Sequence, residues 1–381
     1  MTRIEQDHLG TREVPSYAYY GIQTLRAAEK FPNAGTPVHD EFIIAMACVK
    51  RAAAQANLEL GMLPKQIGHC MIKAAEEIMN GKHLEDFTLD FVQGGTSDAL
   101  NTNMNEVIAN RALEFMLEDK GNYSLINPDG HVNLAQSSNG IITVALQITA
   151  YQLTHNLIKS TDQLITCLLA KEKNMEELYR PGNTSVKIGT PPWLGHQFGN
   201  AARNLLRDMK HLVMAASQLQ TIDLGEAFTN SESNTSPDFT DIITAYLKVN
   251  TQLNMTTIKD RSDTTCSKDA FVELSSAINQ CAVDISKLCS DIRLAAASFP
   301  SDQNEPYLSI GVNTEAAEAL NQIVFHVIGL GHGIRLAAEA GMADQKAVPP
   351  IIAYNLLESM KLLIKGMDSL QSEFSISFMY R

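Results

Sequence analysis

Most of the side chains that could do chemistry in this 381-residue chain sit in polar stretches between long apolar-periodic segments. Gln93 to Asn103 is rich in Gly, Thr and Asn, and Asp129 to Asn139 contains His131, Asn133, Ser137, Ser138 and Asn139. Pro181 to Lys187 holds Thr184 and Ser185, Gly225 to Asp238 is rich in Ser, Thr and Asn, and Ser301 to Thr314 holds Ser309 and Asn313. Neutral donors at the ends of long helices suit a small dicarboxylate or similar anion, because hydroxyls, amides and helix N-termini all donate to carboxylate oxygens. The same residue types cap helices and build turns in any protein, and composition alone leans toward that structural role.

Other patterns point away from metals, nucleotides and disulfides. His326 and His332 are six apart and do not share a helix face, so they do not form a ligand pair. His131 reads as a helix-entry residue making a structural hydrogen bond. Gly329-Leu330-Gly331-His332-Gly333 lies inside a helical pattern with no preceding strand, so close helix packing explains its glycines better than a dinucleotide loop. Cys48, Cys70, Cys167, Cys266, Cys281 and Cys289 form no Cys-x-x-Cys pair and read as buried thiols. The 43 Asp and Glu against 30 Lys and Arg give a net charge of -13. Nucleic acid or an anionic membrane as partner would need a basic face. The charged N-terminus has no apolar core of a secretory signal. The stretch from His131 to Ile158 lacks charges but keeps too many Asn, Gln and Ser for a lipid span. A cytoplasmic location follows as the expectation.

The elements that must position these residues are helices. Lys268 to Ala297 carries Phe271, Leu274, Ile278, Cys281, Ile285, Leu288 and Ile292, an alternation of three and four that makes one apolar seam. At 1.5 Å per residue the segment is roughly 45 Å long, and its seam needs a bundle or an oligomer to bury it. Helices are also expected over about Ile141 to Leu169, Gly195 to Leu224, Glu315 to Ala340 and Pro350 to Leu370. Shorter ones are expected over Asp40 to Leu60, Pro64 to Met79 and Asn105 to Met116. Strand signals are weak throughout.

Several blocks then carry a resemblance. They are Leu9-Gly10-Thr11-Arg12-Glu13-Val14-Pro15, Tyr19-Tyr20-Gly21-Ile22-Gln23-Thr24-Leu25-Arg26 and Asn105-Glu106-Val107-Ile108-Ala109-Asn110-Arg111. Further on come His131-Val132-Asn133 with Gln136-Ser137-Ser138-Asn139, Asp269-Ala270-Phe271, Asn321-Gln322, and Tyr354-Asn355-Leu356-Leu357-Glu358-Ser359. In this order, over nearly the whole chain, they resemble the aspartase/fumarase superfamily, on its aspartase side. The resemblance implies an all-α fold, with a small N-terminal helical domain (1–128), a central long-helix bundle (129–370) and a short tail (371–381) in place of the family's C-terminal domain. It implies a tetrameric core whose active sites draw on three chains, as a homotetramer or a hetero-oligomer with a paralogue. The implied reaction is reversible anti-elimination of ammonia from L-aspartate, or a related substituted succinate, to fumarate. It uses no organic cofactor, and some aspartases are activated by a divalent cation such as Mg2+.

Carried over residue by residue, the resemblance makes Ser309 the base. Thr102, Asn103, Ser137, Ser138, Asn139, Thr184, Ser185 and Asn313 become the substrate-binding set. Such a site must remove a weakly acidic proton beside a carboxylate and hold the doubly charged aci-carboxylate that forms. The departures from the pattern fall on that chemistry. The family's mobile loop has the form GSSxMPxKxN; here Gly311 stands at the lysine in the ungapped alignment. A short deletion restores Ser309 and Asn313 but not the lysine. Asn183 replaces an arginine, Gly140 an aspartate, and Asp98 adds a negative charge near the first loop. The alternative expectation is a catalytically impaired homologue acting as a structural or regulatory subunit.

Overall fold

The computed structural model describes residues 1–31, 33–178, 192–222, 237–257, 266–298, 314–340 and 349–379. Its elements are β1 (Thr2–Asp7), β2 (Gly10–Pro15), α1 (Ile22–Lys30), α2 (Asp40–Glu59), α3 (Lys65–Met79), α4 (Thr96–Phe115), α5 (Ser138–Leu178) and α6 (Pro192–Gln218). They continue with β3 (Thr221–Ile222), α7 (Pro237–Thr251), β4 (Thr256–Thr257), α8 (Cys266–Ser298), α9 (Thr314–Ala340) and α10 (Pro349–Met379). The fold is all-α in character, as expected, with short strands at the margins.

The described chain divides into two compact units. The first comprises Met1–Tyr151, Leu219–Asp269 and Leu336–Tyr354. It opens with an antiparallel hairpin, Thr2 opposite Pro15 through Asp7 opposite Gly10. The weak strand signals had not marked this hairpin. Its turn is closed by Leu9 N donating to Asp7 Oδ1 (2.9 Å), and by Gly10 at φ +105°, a conformation that favours glycine. Helix α2 packs on α3 and α7, and α3 packs on α4. Phe42 and Met46 of α2, Met71 and Ile78 of α3, and Met104 and Ile108 of α4 are all buried.

Helix α1 is short and would leave its first N–H groups without partners. Two buried carboxylates supply them. Glu5 accepts from Ile22 N (2.8 Å); Glu106 accepts from Gly21 N (2.9 Å), Gln23 N (2.9 Å), Thr24 N (3.1 Å) and Thr24 Oγ1 (2.6 Å). Burial pushes the Glu106 carboxyl up to about 7, against the pull of those four donors. A Cβ on Gly21 would overlap the Tyr123 hydroxyl, so the close approach needs glycine.

The second unit comprises Gln152–Gln218, Ala270–Arg335 and Asn355–Arg381. All seven seam residues of α8 are buried in it. The seam is thus satisfied inside one chain, with Ser286 Oγ donating to Asn321 Oδ1 of α9 (2.6 Å) and Asn204 Nδ2 of α6 donating to Asp284 Oδ1 (3.4 Å). Gly331 and Gly333 do mark close packing, since a Cβ would meet the amides of Asn279 and Asn355; Gly329 faces open space. Helix α9 is long and apolar enough to cross a membrane by composition, with mean hydropathy 1.2. Its buried Ala317, Leu320, Asn321, Val324, Val327, Gly331 and Ile334 form one stripe, the pattern of a bundle helix. Helix α10 runs on to Met379, past the expected stop at Leu370.

Candidate functional site

Three pieces of the first unit converge on the candidate donors: α4, the turn after it, and the start of α5. Helix α4 begins at Thr96, nine residues before the expected start, so Thr102 and Asn103 lie on a helix and not in a loop. The Gly, Thr and Asn content suggested a loop, but tertiary packing overrides the weak propensity of these residues. The consequence is a face. Ser97, Asn101 and Asn105 recur every four residues and are all buried, whereas Asp98 in the first turn is exposed and turned away.

The turn is built by local hydrogen bonds. The Asn127 side chain accepts from Asp129 N (2.9 Å) and Gly130 N (2.7 Å) and starts a single π turn over Pro128–Val132. Asn127 N donates to His131 Nδ1 (2.9 Å), so His131 does make the structural bond read from its position. Gln136 Nε2 donates back to Val132 O (2.9 Å) and Leu134 O (3.2 Å). Between them Ala135 is held at φ +60°, strained for a residue with a Cβ. The chain then enters α5, a 41-residue helix, with Ser137 Oγ accepting from Gly140 N (3.2 Å) as its cap.

Helices α2 and α4 clasp this turn. Lys50 Nζ of α2 donates to Asn133 Oδ1 (2.9 Å), and Asn57 Nδ2 donates to Leu134 O (3.2 Å). Asn101 Nδ2 of α4 donates to the same Asn133 Oδ1 (2.9 Å) and to Ser138 Oγ (3.1 Å). Lys50 is buried, and burial pushes its ammonium well below the ordinary lysine range, with the charge of Asp129 acting the other way. Several buried polar atoms here have no partner among the described residues: Ser97 Oγ, Asn101 Oδ1, both amide atoms of Asn105, Asn57 Oδ1 and Gln136 Oε1.

Of the expected binding residues, Ser137, Ser138 and Asn139 come together, half-buried, at the N-terminus of α5. Their hydroxyls and amide, with the first N–H groups of a long helix, can donate to a carboxylate. Asn103 is used otherwise: it is buried and donates to Asp86 O (3.1 Å). Thr102 is half-buried on α4. Thr184, Ser185, Ser309 and Asn313 lie outside the described residues, as do Asn183, Gly311 and the side chain of Trp193. Sequence reasoning missed Asn101 and Lys50. The four-residue spacing of Ser97, Asn101 and Asn105 could have shown the first, and a lone lysine among the apolar residues of α2 the second.

Among the described residues, His83, Glu85 and Asp86, and separately Glu172, Glu176 and His196, have ligand atoms close enough to share a metal ion. Neither group suits Mg2+, which prefers an all-oxygen shell. In the first, Glu77 already engages His83 and Tyr19 N engages Asp86; in the second, Arg203 pairs with Glu172.

Comparison with known proteins agrees with this architecture. A family profile described as Lyase matches residues 10–329. An aspartate ammonia-lyase from a Bacillus species is 35% identical over 371 residues, covering 95% of this chain and 79% of that protein. The aspartate ammonia-lyase of Pseudomonas aeruginosa is 36% identical over 383 residues, covering 97% and 81%. Among solved structures, a fumarate lyase:delta crystallin from Brucella melitensis bound to cobalt has a TM-score of 0.87 at 31% identity, covering 98% of this chain and 84% of that one. A class II fumarase from Schistosoma mansoni shares the fold, with a TM-score of 0.85 at 23% identity over 98% and 84% of the two chains. On sequence and fold together, the chain belongs to this lyase family, within the aspartase/fumarase superfamily.

Proposed function

We propose that this chain is an aspartate ammonia-lyase-like enzyme, eliminating ammonia from L-aspartate or a related substituted succinate to give fumarate. The observation that carries the reading is the grouping of Ser137, Ser138 and Asn139 at the N-terminus of α5, with the Ser138 hydroxyl held by Asn101. The relatives named aspartate ammonia-lyase support the substrate class. In the proposed reaction these donors hold one substrate carboxylate. Ser309 removes the proton on the adjacent carbon, and ammonia leaves from the opposite face. Thr102, Thr184, Ser185 and Asn313 complete the proposed donor set. The donors strengthen their bonds as the second negative charge develops, which is where such a site gains rate.

A homotetramer, or a hetero-oligomer with a paralogue, is part of the proposal, and so is work in the cytoplasm. Leu206, Val213 and Met214 on α6, Val283 and Leu294 on α8, and Phe325 on α9 are exposed, and apolar side chains in such number support burial by another copy. The test is the rise in ultraviolet absorbance of fumarate when purified protein meets L-aspartate. Turnover that Ser309→Ala abolishes supports the reading; flat traces with aspartate and a panel of substituted succinates would end it. One observation favours a second reading, a structural or regulatory subunit: Gly311 and Asn183 stand where the resemblance expects a lysine and an arginine. Robust turnover by the homogeneous protein would remove it.

A further inference from the structure

Lys50 has no part in the proposed chemistry, yet of the described side chains that clasp residues 132–138 from α2 and α4, namely Lys50, Asn57 and Asn101, it is the ionisable one. Its position on α2 is surrounded by buried apolar residues, among them Val49, Ala53 and Ala54. Burying an ammonium or amine there is costly unless something is gained by it. Its hydrogen bond goes to Asn133 Oδ1, the oxygen that also receives Asn101 Nδ2, and Asn101 in turn donates to Ser138 Oγ. Asn133 Nδ2 donates onward to Gln136 O (3.3 Å), closing the turn on itself. The turn contains a strained Ala135, so it needs outside restraint to stay in shape. A lysine donates to Asn133 in either protonation state, and the unpartnered oxygens of Asn57, Asn101 and Gln136 lie on the residues that make the same clasp.

We propose that Lys50 is a positioning residue: through Asn133 it fixes the 132–138 turn, and with Asn101 it sets where Ser138 presents its hydroxyl to a bound dicarboxylate. The functional half of this inference rests on the lyase reading; the structural half does not.

The experiment uses the full chain, with Lys50→Met and Asn133→Leu made singly and together, and two readouts. The first is amide hydrogen exchange followed by mass spectrometry. In both single variants, exchange over 132–140 should quicken tenfold or more, while α2 and α3 keep wild-type protection. The second is steady-state turnover. A donor displaced by about 1 Å can cost on the order of a hundredfold, so kcat/KM should fall by about that factor in either variant. The double variant should be no worse than Asn133→Leu alone, because that change already breaks the Lys50 link along with the bonds to Asn101 and Gln136. Unchanged exchange over 132–140 in a folded variant would overturn the proposal, and so would equal loosening of α2 and α3 or additive losses in the double variant. If Lys50→Met does not fold, Asn133→Leu breaks the same link from the other side. If the wild type neither turns over nor binds fumarate, the lyase reading fails, and the exchange data still decide the role of Lys50.

Discussion

Replacing Asn101 with leucine separates a binding role from a structural one. Leucine nearly matches asparagine in size and shape, so the packing of α4 is kept. The amide donates two neutral hydrogen bonds, to Asn133 Oδ1 and Ser138 Oγ. Each is worth about 1 kcal/mol net, a loss of about 2 kcal/mol in all. Its own oxygen is buried with no partner among the described residues, a standing cost of about 1–3 kcal/mol that leucine removes. The two effects nearly cancel, and the variant should unfold within about 1 kcal/mol of wild type. The Ser138 hydroxyl, in contrast, loses the donor that orients it. A hydrogen bond to a charged acceptor is worth about 1.5–3 kcal/mol, and misdirecting one should weaken dicarboxylate binding by about tenfold. Urea unfolding and calorimetric titration with fumarate on one preparation give both numbers. A stability loss above about 3 kcal/mol with unchanged fumarate affinity would make Asn101 a purely structural residue, with no part in orienting Ser138.

Two further predictions concern the two units separately. Asp208 is buried on α6 beside Asp284, with Oδ2 unpartnered; burial, then the neighbouring carboxylate, raises its carboxyl to about 7. The folded state therefore holds a proton that the unfolded chain gives up near pH 4, and stability should fall as pH rises from about 4 to 7. Asp208→Asn should flatten that decline in thermal melts, and wild-type and variant curves running parallel would count against it. In the first unit, Ala135 at φ +60° predicts that Ala135→Gly melts within about 0.5 kcal/mol of wild type while Ala135→Val loses about 2 kcal/mol. Equal melts for the two variants would contradict the strained turn.

The long helices were legible because their apolar spacing is regular. The Lys268–Ala297 segment carrying the seam matches α8 within two residues at its start and one at its end, and Asp40 to Leu60 matches α2 more closely still, at the same first residue and one residue over at the end. What the pattern left open was whether one chain could cover the seam, and within the single chain all seven residues are buried. The hairpin was missed because both of its faces carry charge: Glu5 is buried, paired with Arg3 and turned onto the start of α1, which breaks the alternation that marks a strand. The start of α4 was missed because its buried face is polar, and polarity reads as a loop unless the four-residue spacing is noticed. In the site, the motif around Ser137, Ser138 and Asn139 was plain in the sequence. The clasp was not, since Lys50 and Asn101 are brought to Asn133 from distant parts of the chain by packing alone.

In the proposed function, the N-terminus of α5 holds a small dicarboxylate through Ser138. Calorimetric titration of fumarate into the wild-type chain and into Ser138→Ala puts this to the test. Wild type should give saturable heat and the variant an affinity about tenfold weaker, the loss of one hydrogen bond to a charged group. Equal affinity in the two proteins, or no heat with wild type at millimolar fumarate, would contradict it.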